Sequence, residues 1–152
     1  MTPVPKEVRV GVMIEVPSLA VQIAGLAGRA DFVSVDVNNL ARHFFASHLN
    51  SSRLANWYGT LAPGFLELLR QIRAQCEAAG VPVAVCGDMA ANLLEAVCLA
   101  GLGFRTWSLP TSACGGFKEA LRSLDSAAIE AYLGFRLPSA AHSLRDDVQY
   151  FT

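Results

Sequence analysis

Apolar residues in this chain gather into short, nearly unbroken runs, and these alternate with stretches in which apolar positions recur every three or four residues. Val8–Val16 is the first run, rich in β-branched residues, and predicts a buried parallel strand. Pro17-Ser18 punctuates it, and Leu19–Leu26 predicts a short helix. Asp31 precedes Phe32–Val35, a second strand ending at Asp36, and Leu40–Ser47 reads as a helix. Asn50-Ser51-Ser52 predicts a loop and Trp57–Pro63 an irregular stretch. Phe65, Leu68, Leu69, Ile72 and Cys76 share one helical face, so Pro63–Ala79 predicts the longest helix, stopped by Gly80. Val81–Cys86 is a third strand, with Pro82 at its start, where the ladder tolerates it. Leu93, Leu94, Val97 and Ala100 mark a helix ended by Gly101 and Gly103, and Arg105–Leu109 predicts a short fourth strand. Helices follow over Phe117–Leu124 and Ala127–Leu133, and Ser143–Tyr150 predicts a last turn or two.

This is a β/α alternation of about four units, an α/β chain with the pattern of half an eight-stranded (β/α) TIM-type barrel, whose full form needs about 250 residues. Residues 1–7 read as a lead, 8–135 as the partial barrel and 136–152 as a polar tail. A half barrel leaves two open sheet edges and one uncovered sheet face, both of which drive association. Composition points the same way: 53% of the residues are hydrophobic and 16% charged. The surplus apolar surface predicts a homodimer or larger assembly, or a missing remainder of the fold.

Other classes are disfavoured. No uninterrupted apolar run reaches the roughly 18 residues that span a bilayer, because Glu15, Asp88 and Glu95 break the candidates. Met1–Lys6 lacks the basic start and apolar stretch of a signal peptide. Net charge is −1 and the twelve Lys and Arg residues are scattered, which argues against nucleic acid and an anionic membrane surface. Cys76, Cys86, Cys98 and Cys114 form no C-x-x-C pair and have no histidine at zinc-like spacing, so reduced thiols in a cytoplasm are expected.

Chemistry-bearing residues sit repeatedly just past the strands, where β/α barrels build their sites. Glu15 closes the first strand, Asn38-Asn39 follows the second, and Cys86-Gly87-Asp88 closes the third. Read from the residues alone, Glu15 is an acid bonded to neighbouring backbone, Asn39 caps the helix after it and Cys86 is a small buried residue. His43, His48 and His142 read as surface residues, Trp57, Tyr58 and Trp107 as packing residues, and Gly101-x-Gly103 as a helix stop.

In order, Gly11–Pro17, Asp31–Val35, Asn38-Asn39-Leu40, Cys86–Ala90, Gly101–Phe104 and Ser108 resemble the second half of the phosphoenolpyruvate-binding barrel of enzyme I, the phosphoenolpyruvate–protein phosphotransferase of bacterial phosphotransferase systems. His142–Arg145 resembles the end of the nitrogen-type branch. The resemblance implies a PEP-utilising enzyme barrel that also dimerises, a magnesium ion bridging phosphoenolpyruvate, phosphate-gripping arginines, and phosphoryl transfer to a histidine on a separate domain. It also implies as partners that phospho-histidine domain and the first half of the barrel. Carried over residue by residue, it places a metal ligand at Glu15, substrate contacts at Asn38 and Asn39, and a general acid at Cys86.

Departures from the resemblance fall in the pocket. Asn39 stands for the expected second metal aspartate, and a neutral amide brings no charge to a cation that leans on carboxylates. Leu49, behind His48, stands for a phosphate-gripping arginine and has no donor; Arg42 or Arg53 would have to replace it. Asp36-Val37 adds a carboxylate that repels an anionic substrate. Asp88 stands for a glutamate and Ala91-Asn92 for Gly-Asp. The isolated chain is therefore expected to be the PEP-binding and dimerisation part of such a phosphotransferase, inactive by itself, with magnesium and phosphoenolpyruvate held weakly or not at all. The competing reading is a non-catalytic barrel kept for oligomerisation or regulation, and a third is another magnesium-dependent lyase or kinase-like barrel of the same superfamily.

Overall fold

The computed structural model describes residues 6–46, 59–140 and 142–151. His48, Leu49, Arg53, Trp57 and Tyr58 lie outside them. Three parallel strands form one sheet in the order β1 (Gly11–Ile14), β2 (Phe32–Asp36) and β3 (Val83–Cys86). Gly11 pairs with Phe32 and Ile14 with Val35; Val33 pairs with Val83 and Asp36 with Cys86. The expected fourth strand over Arg105–Leu109 is reduced to one parallel bridge, Val85 to Trp107, made by the Val85 and Ser108 N–H groups. Pro110 and a 3-10 turn at Thr111–Ala113 follow at once, so the ladder does not lengthen.

The register sorts the side chains by face. Ile14, Val35 and Val85 stand in one row, fully buried under the helices. The next residue on each strand turns to the opposite face, so Glu15, Asp36 and Cys86 share the adjoining row. Below them on that face lie Met13, Ser34 and Ala84, then Phe32, whose ring lies where a Cβ on Gly11 would stand. Met13 is 48% exposed and Phe32 39%, so this face is only partly covered. Burial of the whole first run does not hold. Val8 and Val10 are exposed ahead of β1, and of the strand itself Ile14 alone is buried, because β1 pairs along one edge.

The helices follow their apolar faces. The stretch after β1 is a short helix α1 (Pro17–Ala20) and a 3-10 turn (Ile23–Leu26) rather than one helix. Helix α2 (Val37–Phe44) starts three residues earlier than its apolar pattern suggests, because Asp36 caps it: Asp36 Oδ1 accepts from the Asn39 N–H at 3.0 Å. Helix α3 (Pro63–Ala78) buries Phe65, Leu66, Leu69, Ile72 and Cys76. Helix α4 (Leu93–Gly101) is buried along its length from Glu95 onward and ends through Gly103 at φ +91. Gly101 lets α6 (Ser126–Arg136) approach: a Cβ there would lie 2.4 Å from Ile129 Cγ2. Helix α5 (Cys114–Ser123) lies between them in sequence, and α7 (Arg145–Val148) closes the chain with a 3-10 turn at Gln149–Phe151. Leu144 and Val148 are buried in the same core as the sheet, with the Leu144 N–H on the Leu61 carbonyl. Among the described residues no helix is long and apolar enough to cross a membrane.

Candidate functional site

The ends of the three strands bring Glu15, Asp36 and Cys86 onto one edge of the sheet, and α2 adds Asn38, Asn39 and His43. Asn39 is not the helix cap; it sits in the first turn, with its side chain turned back over the strand ends. Its Nδ2 donates to Glu15 Oε2 at 3.1 Å and to Asp36 Oδ2 at 2.8 Å. The nitrogen must face the two acids, since an amide oxygen there would meet two acceptors. One carboxamide therefore bridges two carboxylates with charge-assisted hydrogen bonds. Glu15 has a side-chain partner, where the sequence offered none nearby.

Asn38 faces the other way. Its Oδ1 accepts from the Met89 N–H at 3.0 Å and ties the start of α2 to the turn after β3. Gly87 makes room for this: it adopts φ +100, and a Cβ there would stand 2.5 Å from Asn38 Oδ1 and 3.2 Å from Asp36 Oδ1. The backbone can pass close to the polar row because position 87 has no side chain.

Cys86 is half-buried. The Ser34 hydroxyl donates to its Sγ at 3.3 Å, and the thiol points its own proton at the Val35 carbonyl, 3.5 Å away. Asp88 is exposed, beyond the row. His43, read as a surface residue, belongs to the site. Its ring Nδ1 lies 2.9 Å from the Glu15 carbonyl and 2.8 Å from the Asn39 carbonyl. Two carbonyl acceptors require Nδ1 to carry a proton. Asp36 is likewise more than an added charge, being at once cap and acid partner. The spacing Asp36-x-x-Asn39, a capping-box relative, was the signal for both. Nothing in the sequence points to His43, whose partners are backbone carbonyls.

These residues do not fit a magnesium ion as arranged. The space between the two acids is taken by an amide nitrogen, a donor, where a cation needs oxygen. Among the described residues no three His, Cys, Asp or Glu side chains form a metal-holding group. Arg42 is exposed on α2, and Leu49 lies outside the described residues.

The chain is an α/β domain whose three-stranded parallel sheet gathers two acids, two amides and a thiol at its strand ends. Residues 1–126 match the PEP-utilising enzyme, PEP-binding domain, and the chain belongs to that family. It is 37% identical over 122 residues to a protein of Escherichia coli K12 named phosphoenolpyruvate-dependent phosphotransferase system, covering 80% of this chain and 16% of that one. It is 30% identical over 149 residues to a phosphoenolpyruvate-protein phosphotransferase of Borreliella burgdorferi, covering 98% of this chain and 26% of that one. With multiphosphoryl transfer protein 1 of Escherichia coli K12 the identity is 31% over 121 residues, covering 80% of this chain and 15% of the relative. The chain thus spans between 15% and 26% of the length of these relatives.

Proposed function

We propose that this chain is the phosphoenolpyruvate-binding, C-terminal part of an enzyme I-type phosphotransferase, of the nitrogen-type branch, and that as it stands it is catalytically impaired. The bridge from Asn39 to Glu15 and Asp36 carries the reading. It occupies both carboxylates with hydrogen bonds where a metal would supply positive charge, and it leaves the strand ends anionic overall. A trianionic substrate finds no positive charge there among the described residues, apart from whatever Arg42 supplies from the surface of α2. Cys86 keeps the features of a proton donor, since it is half-buried and held by Ser34. The general-acid position would therefore outlast the phosphate grip. Residues 8–135 would form about four β/α units of a barrel, with the single bridge at Trp107 as the remnant of the fourth strand. Such a chain works in a cytoplasm, beside the other barrel half and a phospho-histidine domain. Calorimetric titration of magnesium and phosphoenolpyruvate into the purified chain tests this. No heat of binding is expected, and millimolar or tighter affinity overturns it.

A second reading, a non-catalytic oligomerisation or regulatory module, draws on a different observation. Met13 and Phe32 leave apolar surface on the sheet face that carries the site, and β1 has one unpaired edge. Light scattering on a sizing column is expected to give a dimer or larger. A monomer at micromolar concentration removes this reading and leaves the first intact.

A further inference from the structure

A groove runs between helices α3 and α6, and none of its lining residues belongs to the strand-end site. It has two adjoining parts, of about 240 and about 220 Å³. Arg70, Leu133, Gly134 and Leu137 line both, and Arg73 and Glu130 line the larger one. Gly134 has no reason inside the chain to be glycine. Gly101 does, since a Cβ there would meet Ile129, but nothing stands within 4 Å of a Cβ on Gly134. A glycine inside a helix is unfavourable relative to alanine, so its place in α6 points to a body that comes close from outside. Its neighbour Phe135 is 78% exposed. A bare groove and a bare aromatic ring thus lie one residue apart on one helix.

Their placement around α6 says what fits. Ala127, Ala131 and Phe135 recur every four residues and form its exposed outer ridge. Glu130 and Gly134 flank the ridge on the groove side. Tyr132 and Arg136 flank it on the other side, where the tail packs: the Phe151 ring lies 5.1 Å from Tyr132 between centroids, and Arg136 Nη2 donates to Asp147 Oδ2 at 2.7 Å.

We propose that this face binds a second copy of the chain, with α6 antiparallel on α6 about a two-fold axis through the outer ridge. Such an axis sets each flank of the helix against the opposite flank of its copy. Phe135, at the end of the ridge nearer the tail flank, then enters the partner's groove over Gly134, and the same contact forms in reverse. The charges agree with this pairing. The groove wall carries Arg70 and Arg73, whose pairs with Glu67 and Glu77 are exposed and cheaply exchanged. The tail flank carries Asp146, exposed and without an ion pair among the described residues. Two Phe135 rings bury on the order of 300 Å² together. A small specific interface needs about 1,200 Å², so the ridge and the charged rims supply the rest and the dimer is weak. The contact lies apart from Met13 and Phe32 and does not depend on either reading above.

Sedimentation of the 152-residue chain over a range of concentrations is the test. A monomer–dimer equilibrium is expected, with a dissociation constant on the order of 10–100 µM. Phe135→Ser removes the ring and Gly134→Leu fills the groove, and each should weaken dimerisation at least about tenfold. At a dilution where the chain is monomeric, Gly134→Leu should unfold at the same temperature as wild type or higher, which separates a lost contact from a lost fold. Met13→Ser, on the sheet face, should leave the dimer unchanged. A chain still monomeric at about 1 mM overturns the proposal and leaves the groove to some other partner. So does a dimer that Phe135→Ser and Gly134→Leu both leave intact; if Met13→Ser weakens that dimer, the contact is the sheet face of the second reading.

Discussion

Asn39 Nδ2 stands 3.1 Å from Glu15 Oε2, joining the first turn of α2 to the end of β1 across the mouth of the sheet. The same nitrogen holds Asp36, so three residues from two strands and a helix behave as one unit. Asn39→Asp exchanges this donor for a third carboxylate. Two hydrogen bonds to charged groups are lost and three acids are crowded together, a destabilisation of about 2 kcal/mol or more. A divalent cation then has a set of oxygen ligands to bind. Thermal unfolding of Asn39→Asp is expected at lower temperature than wild type without metal, and magnesium or manganese is expected to restore it. Wild type should not respond. An equal metal-induced rise in both proteins would show that the amide is not what fills the gap.

Gly87 offers a sharper steric test. At φ +100 any side chain is strained, and its Cβ would run into Asn38 Oδ1. Gly87→Ala is expected to lower stability by about 1–3 kcal/mol, from backbone strain and from displacing Asn38 off the Met89 N–H. Gly115→Ala is the control. Gly115 lies in α5 with nothing within 4 Å of a new Cβ, and alanine there should stabilise by up to about 1 kcal/mol. Urea denaturation of the pair reads both. A Gly87→Ala protein as stable as wild type would mean that the strand-end geometry is looser than the contact distances imply.

Much of this was legible beforehand, for identifiable reasons. Helix α3 declares itself because Phe65, Leu69, Ile72 and Cys76 repeat at 3.6 residues, and Gly80 at φ +66 ends the unit. Strands β2 and β3 show as β-branched runs because both lie inside the sheet or under helices. The strand-end placement of Glu15, Asn38 and Cys86 follows from chain order alone. What escaped depends on tertiary neighbours. The exposure of Val8 and Val10 comes from β1 pairing along one edge, which local pattern does not encode. His43 is the exposed residue its sequence suggests, but its bonds to the Glu15 and Asn39 carbonyls depend on how α2 packs against the end of β1. The start of α2 does not show in the local pattern because Val37, Asn38 and Asn39 are poor helix formers, held in the helix by the Asp36 cap.

The thiols should divide by burial. Cys76 and Cys98 are buried, and burial pushes them up to about 11 and about 12, with the Glu95 carboxylate adding to the rise at Cys98. Cys86 and Cys114 are partly exposed. At neutral to mildly alkaline pH two thiols should react with a disulfide reagent in the native state, and the other two on unfolding. The sign of the linkage follows. A folded-state value above the unfolded one gives stability that is fully present below the unfolded thiol's pKa of about 8.5 and is lost as pH rises toward the folded values. Cys98→Ala should therefore be less stable at neutral pH yet lose less between about pH 9 and pH 12 than wild type. A parallel pair of stability–pH curves would reject the assignment.

Glu95 and Arg145 lie 50 positions apart and tie the end of the chain to the first turn of α4. Glu95 is 3% exposed, and its Oε1 accepts from Thr60 Oγ1 at 3.0 Å and from Arg145 Nη2 at 3.1 Å, while Oε2 is buried without a partner. A carboxylate so placed depends on its one cation. Arg145→Ala leaves that carboxylate to Thr60 alone, and it also frees the segment that buries Leu144 and Val148. Because the Arg145 side chain is 45% exposed, solvent discounts the loss, and about 1–3 kcal/mol is expected. Glu95→Gln removes the charge and keeps an acceptor for Thr60, so it should lose less than Arg145→Ala. The double variant Glu95→Gln with Arg145→Ala should then be no worse than Arg145→Ala alone. The double-mutant cycle measured by urea denaturation gives the coupling directly. Additive losses would mean that Arg145 holds the tail by its aliphatic stem and not by its charge, because the buried acid would then be indifferent to the guanidinium above it.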